Sequence, residues 1–174
     1  MRRALAVIAA IVDVAARLHA SDERPARSLL FVAVTGEEKG ELFPLKELMV
    51  PGLDESDLGG DIRAVAAAMH LQVQADPEPQ RNRFIRSDQY SFIRAGIPAL
   101  AMKVGYDMHT PEAAIAQKWT AERYHAPSDD LNQPVDNIAA DTYIEVVRQL
   151  AVRIANRPNR PKWNDASFFR RFSE

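Results

Sequence analysis

The 174-residue sequence contains no cysteine. This absence excludes disulfide scaffolds, thiolate metal sites, thioredoxin-like chemistry and cysteine nucleophiles. An excess of basic residues is also lacking, because 22 Lys and Arg stand against 24 Asp and Glu, for a formal net charge of -2. Nucleic acid, whose phosphates attract basic proteins, is therefore not an expected partner. Any bound metal ion has to be held by His, Asp or Glu.

Hydrophobic runs long enough to cross a membrane are missing as well. The apolar run Ala4–Val12 is shorter than the about 20 residues that span a bilayer. Two arginines precede it, as in a secretory signal, but Asp13 and Arg17 follow it and its apolar residues recur at helical spacing. We therefore predict an amphipathic helix that packs on a sheet at this position, and no membrane partner.

Strand-like and helix-like segments alternate along the rest of the chain. Leu29–Val34 is a continuously apolar run, typical of a strand that is buried on both faces. Shorter strands are predicted at 48–50, 71–73 and 99–104, and helices at about 56–69, 87–96, 112–122 and 138–155. Ser56 is the expected N-cap of the first of these helices. The alternation predicts one α/β domain with a mainly parallel sheet.

The last segment, Arg157–Glu174, is basic and aromatic. Aromatic side chains beside arginines can stack on nucleic-acid bases. Because the chain as a whole is not basic, the favoured interpretation is a tail held on the domain by its aromatic side chains.

Two adjacent carboxylates follow the most apolar predicted strand. Glu37 and Glu38 stand at the carboxyl end of that strand, where ligands of open α/β sheets bind. One carboxylate can hold a metal ion while its neighbour takes a proton from the attacking water. The alternative is a solvated acidic loop, which is common for Glu-Glu-Lys.

Histidines supply further candidates for metal binding. His125 lies in a predicted loop beside Tyr124, and its alternative is an ordinary solvated side chain. Asp107 and His109 share another loop and form a weaker pair of donors. The other two histidines of the chain stand at predicted helix ends, where a cation suits the helix dipole, and need no functional interpretation.

Several blocks of the sequence resemble the co-catalytic zinc aminopeptidases, the group that contains the bacterial leucyl aminopeptidases and aminopeptidase Y. The most specific block is 27–40, in which a strand runs into Thr-Gly-Glu-Glu-Lys-Gly. Four other blocks agree with the family in order: 87–92, 95–100, 124–130 and 163–169. The resemblance implies a three-layer α/β fold, in which a mainly parallel twisted sheet carries helices on both faces. It also implies a single peptidase-like domain over residues 1–174, with the tail 157–174 packed on it.

The same resemblance implies roles for four residues. Glu37 corresponds to the general base, Glu38 and His125 to ligands of one zinc ion, and Tyr124 to a residue that stabilises the oxyanion. The implied reaction is attack of water on the first peptide bond of a peptide substrate, with two zinc ions sharing the work in the family. Members are often secreted or periplasmic, but this sequence has no clean signal peptide, so the location stays open.

The sequence departs from the family pattern in two places. A His-x-Asp motif and a bridging Asp, which supply further zinc ligands in the family, are expected upstream of the first helix and are absent from these 174 residues. Only 13 residues, 35–47, separate Val34 from Leu48, and Pro44 lies among them, whereas a parallel crossover needs a dozen or more residues with a helix. Either these two strands are not parallel neighbours, or the connection between them is irregular, as an internal deletion would leave it. In either case we expect an incomplete sheet.

Two consequences follow from these departures. An incomplete sheet leaves an exposed apolar edge along Leu29–Val34, and self-association through that edge is expected. The missing ligands also predict impaired hydrolysis. The alternative to an impaired aminopeptidase is a non-catalytic remnant that acts as a structural or binding domain.

We expect the purified protein to bind at most one zinc ion per chain, and weakly. Catalytic zinc ordinarily keeps three protein ligands, and only Glu38 and His125 are assigned here. Elemental analysis after dialysis measures the ratio of zinc to protein. Two tightly held zinc ions per chain would contradict the prediction and would mean that other donors, such as Asp88, Asp107 or His109, had been recruited.

Overall fold

The computed structural model describes residues 4–22, 24–31, 42–124, 126–128 and 134–173, with the backbone alone for residues 4–10. The elements in chain order are α1 (Ala4–Ala20), β1 (Glu47–Met49), α2 (Leu58–Ala68), β2 (Gln72–Gln74), α3 (Gln89–Arg94), β3 (Lys103–Val104), α4 (Pro111–Glu122) and α5 (Asn137–Ala155). Short 3-10 turns cover Pro79–Arg81, Arg83–Ile85 and Phe168–Ser173. The chain is thus a mixed α/β protein with a small sheet.

The described residues form two compact units. The first unit takes Met1–Leu45 and Tyr106–Ala155, and the second takes Lys46–Gly105 and Asn156–Glu174. The assignment of residues 1–174 to one domain stays a prediction. None of the described helices has both the length and the apolar composition that a membrane span requires.

Helices α1, α4 and α5 build the first unit. α1 and α5 pack on each other, and Val14, Val146 and Leu150 are buried. Arg17 of α1 pairs with Asp13 one turn earlier at 3.0 Å and with Asp141 of α5. The predicted helix at the start of the chain is therefore confirmed, but it packs on α5, whereas a sheet was the expected partner. Ion pairs of Arg17 add to this contact.

The second unit is built on a three-stranded open sheet with the order β2-β1-β3. β1 is central, and its Leu48 is fully buried. α2 connects β1 to β2, which pair in parallel with Leu48 opposite Val73. This is the arrangement expected when a helix crosses between two neighbouring strands.

The tail, residues 157–173, also packs on this unit. The indole Nε1 of the buried Trp163 donates to the carbonyl of Gly96 at 3.1 Å. Gly96 has a φ of +79°, and a Cβ there would come within 2.7 Å of the Phe172 carbonyl oxygen, so both conformation and space require glycine. Phe169 packs against Phe84 with ring centroids 5.3 Å apart. These contacts give residues 157–173 a structural role.

Arg157 fastens the beginning of the tail to the first turn of α2. Its guanidinium donates to Asp57 at 2.5 and 3.1 Å and to Asp61 at 2.9 Å. Asp61 is a buried residue, and the backbone N–H of Lys162 donates to Asp57 at 3.0 Å. A buried carboxylate is tolerated only when it is paired, so this cluster holds α2 and the tail in one arrangement.

Three predictions about local structure are corrected here. The N-cap of α2 is Asp57 and not Ser56, because Ser56 pairs its backbone with Trp163 and is buried. The strand expected at 99–104 is only β3, and it runs antiparallel to β1. No strand forms over 28–31, so the run Leu29–Val34 is not a strand at its start, and its remaining residues lie outside the described ranges.

We expect Arg157→Met to lower the free energy of unfolding by about 2–3 kcal/mol, because it leaves the buried Asp61 carboxylate without its cation. Thermal or urea unfolding followed by circular dichroism measures the change. Arg170→Met is the matched control, since it removes a 2.7 Å ion pair whose partner, Asp165, is almost fully exposed. Such exposed pairs contribute about 0–1 kcal/mol. Equal losses in the two variants would contradict the structural role of Arg157.

The same cluster predicts a dependence of stability on pH. Burial opposes ionisation of Asp57, but the hydrogen bonds from Arg157 and from the Lys162 N–H outweigh it, so the pKa of Asp57 is lowered. A lowered folded-state pKa stabilises the protein above the unfolded value of about 4, and this contribution is lost as the pH falls through the folded value. Unfolding measured between pH 7 and pH 2 should show a smaller acid-induced loss for Arg157→Met than for the unmodified chain. Parallel curves would refute the linkage.

Candidate active site

The residues predicted to carry chemistry fall largely outside the described ranges. Glu37, Glu38 and His125 are among the residues that are not described, whereas Tyr124 is. The structure therefore does not test whether the four side chains come together. What it does describe is the environment on both sides of His125, at the end of α4.

Helix α4 begins with a well-formed cap. The side chain of Thr110 accepts a hydrogen bond from the Ala113 N–H at 3.3 Å, and Pro111 occupies the first position of the helix, where it lacks only a donor that would be unpaired. Ala116 and Trp119 are buried along one face. Because this face is packed, the end of α4, where the following loop begins, is held in place.

Tyr124 lies just beyond the end of α4. Its backbone N–H donates to the carbonyl of Trp119 at 3.3 Å, and the two rings are tilted against each other with centroids 6.1 Å apart. The tyrosine remains 44% exposed, so the ring rests on the buried tryptophan while much of its surface faces solvent.

Three hydrogen bonds tie the loop after Tyr124 back to α4. The Ala126 N–H donates to the Arg123 carbonyl at 3.0 Å. The Ser128 hydroxyl donates to the Glu122 carbonyl at 2.7 Å, and the Arg123 guanidinium donates to the Ser128 carbonyl at 2.9 Å. These contacts flank position 125 in the sequence, and no motif predicted them. The only signal for them was the turn-forming Pro-Ser-Asp-Asp sequence.

The weaker candidate donors all lie within the described ranges. Asp107 and His109 are exposed, and His109 has a positive φ of 68°, while Asp88 is exposed at the start of α3 in the other unit. Over the ranges 42–124, 126–128 and 134–173, and equally in the described residues before them, no three His, Asp or Glu side chains are grouped to hold a metal ion. A site with three such donors would therefore include at least one residue outside the described ranges.

In the described ranges, the carboxyl groups whose pKa is shifted form ion pairs with arginines. The hydrogen bond from Arg83 lowers the pKa of Glu78 against the opposing effect of burial, and the hydrogen bond from Arg148 does the same for Glu145. Glu78 and Glu145 are thus paired with arginines, and no catalytic role is assigned to them.

An open groove of about 480 Å³ lies in the first unit, between the end of α1 and residues 24–31. Leu18, His19, Arg24 and Phe31 contribute to its walls. Of these four residues, only His19 has a side chain that binds metal ions or transfers protons readily. One such side chain does not make a site.

A comparison with models of known protein families finds a match. The model of peptidase family M28 matches residues 43–151, which is more than half of the chain. The matched range takes in α4, Tyr124 and His125, and it begins after Glu37 and Glu38. No curated protein and no solved structure matches the chain.

Proposed function

Since the chain belongs to peptidase family M28, we propose that it is a zinc-dependent aminopeptidase by descent, with impaired activity in these 174 residues. The observation that carries the proposal is the family match over 43–151, which includes the Tyr124 loop. The Thr-Gly-Glu-Glu block at 35–38, outside the match, supports it independently. Peptides are the proposed substrates.

The donor chemistry of the assigned ligands fits zinc. Glu38 offers a carboxylate oxygen and His125 an imidazole nitrogen, and both are ordinary ligands of this ion. When bound, zinc polarises a carbonyl group and acidifies water. The proposed ion count is at most one per chain, because two assigned ligands are fewer than the three that catalytic zinc usually keeps.

The remaining steps are assigned to two side chains of this chain. Glu37 takes a proton from the attacking water and passes it to the leaving amine, which is the work of a general base and then a general acid. The hydroxyl of Tyr124 donates a hydrogen bond to the oxyanion of the tetrahedral intermediate. The exposure of Tyr124 beside a tied loop is consistent with that role.

The family also suggests a larger architecture than the three described strands. We propose a three-layer fold with a mainly parallel twisted sheet and helices on both faces. The parallel pairing of β1 and β2 across α2 supports it. The antiparallel β3 is a departure from the parallel pattern at one edge.

A non-catalytic remnant is the second candidate function. It is favoured by the ligand count, since only Glu38 and His125 are assigned and catalytic zinc usually keeps three protein ligands. In that case the chain keeps the family scaffold and acts as a structural or binding domain. A chain that binds zinc without hydrolysing peptides, or that does neither, would be a remnant of this kind. Slow hydrolysis would indicate an impaired enzyme.

We expect release of a chromogenic amine from an aminoacyl substrate to be very slow, and Glu37→Gln to lower any residual zinc-dependent rate by about 100-fold or more. The amide keeps the size of the carboxylate but cannot accept the proton, and general base catalysis contributes about 10²–10⁴-fold. The assay compares both proteins with and without added zinc. Glu112→Gln is the control, because Glu112 lies in the first turn of α4 and has no assigned role.

Each part of this prediction fails separately. Robust turnover by the unmodified chain would refute the proposed impairment. Equal zinc-dependent turnover by the unmodified chain and by Glu37→Gln would refute the role of Glu37 and leave the family assignment intact.

A further inference from the structure

The tail pairs its backbone with the segment that leads into α2, in an antiparallel bridge. The Asp57 N–H donates to the Lys162 carbonyl at 3.0 Å, and the Asn164 N–H donates to the Glu55 carbonyl at 2.9 Å. The ion pairs of Arg157 stand beside these two bonds. All of these contacts join the tail to α2 or to the residues directly before it, so they are lost together when the tail leaves.

The docked tail uses a side chain that would otherwise cap α2. Asp57 is the N-cap residue, yet its side chain accepts no hydrogen bond from the first turn of the helix. Its carboxylate accepts instead from the guanidinium of Arg157 and from the N–H of Lys162. An aspartate at this position ordinarily stabilises a helix by accepting from an N–H of its first turn. Docking of the tail therefore costs α2 its cap.

The same junction leaves a buried hydroxyl without a partner. Ser56 is 2% exposed, and its Oγ makes no hydrogen bond. An unpaired buried hydroxyl is unfavourable, because water would satisfy it if it were exposed. Serine is also a residue type that caps helices. The docked state thus has two local costs, an uncapped helix start and an unpaired hydroxyl, and release of the tail removes both.

We propose that the tail is a releasable strap, so that the second unit has a docked state and a released state. α2 also packs on β2, and Ile62 and Ala66 are buried along it, so the helix keeps a core contact when the tail leaves. Segments of this kind open at a lower free energy than the whole fold. The device is independent of the proposed hydrolysis, since none of the residues assigned to that chemistry takes part in it.

Hydrogen exchange of the full chain, followed for single N–H groups by NMR, tests whether the tail opens as a unit. The N–H groups of Asp57, Lys162 and Asn164 all bond across the junction. We expect them to share one protection factor, at least about tenfold below that of Ala66 in α2. Asp57 lies on the α2 side of the junction, so its exchange together with the two tail residues distinguishes release of the tail from fraying of its end.

Two serine variants at the junction should change this protection in opposite directions. Ser56→Ala removes the hydroxyl that is unpaired in the docked state, so we expect the protection of the junction N–H groups to rise by about three- to tenfold. Ser167→Ala is the matched control, because the Ser167 hydroxyl donates to the Glu55 carboxylate at 2.5 Å across the same junction. Its loss should lower the protection by about the same factor. Thermal unfolding of both variants establishes that each is folded.

Each measurement can contradict the proposal. Equal protection of Asp57 and Ala66 in the unmodified chain would show that the tail leaves only when the whole unit unfolds, and would overturn the releasable strap. Exchange that is fast at Asn164 and slow at Asp57 would show fraying of the tail and would overturn it as well. Unchanged or lowered protection in Ser56→Ala would refute the cost assigned to the unpaired hydroxyl, and with it the reason given for release.

Discussion

A single arginine, Arg157, pairs with two carboxylates at the start of α2, and the second unit depends on that pairing. Without Arg157, the buried Asp61 and the neighbouring Asp57 would place two negative charges in the first turn of one helix. The helix dipole favours negative charge there, but burial of an unpaired carboxylate costs far more than the dipole contributes. The sequence supplies the compensating cation from a position about 100 residues further along the chain. The tail is therefore part of the packed unit.

The elements with strong local signals could be predicted from the sequence. α4 combines Thr110, Pro111 and the acidic Glu112 at its start, and α1 has an uninterrupted apolar period, so both helices follow from residues that are close in sequence. The short strands are predicted in place, but their partners depend on long-range packing. The antiparallel direction of β3 is such a case, because no local pattern in Lys103–Val104 encodes the direction of its neighbour.

The predictions of local structure that were wrong also failed because of contacts with distant residues. Ser56 has the right chemistry for a helix cap, yet its backbone is recruited by Trp163, which arrives from the tail. The bonds from Ser128 to Glu122 and from Arg123 to Ser128 likewise depend on the path of a loop, and a sequence pattern indicates only that a turn is present. Prediction succeeds where a residue's partners are its near neighbours and fails where a distant segment competes for the same groups.

The described contacts that hold each unit are contacts between protein groups. Trp119 is buried against the ring of Tyr124, and Arg157 pairs with Asp57 and Asp61. These contacts belong to the scaffold, whereas the chemistry of a peptidase depends on a small set of side chains that the scaffold carries. The match to peptidase family M28 over residues 43–151 covers much of that scaffold, and the residues assigned to zinc have to be judged by their own chemistry.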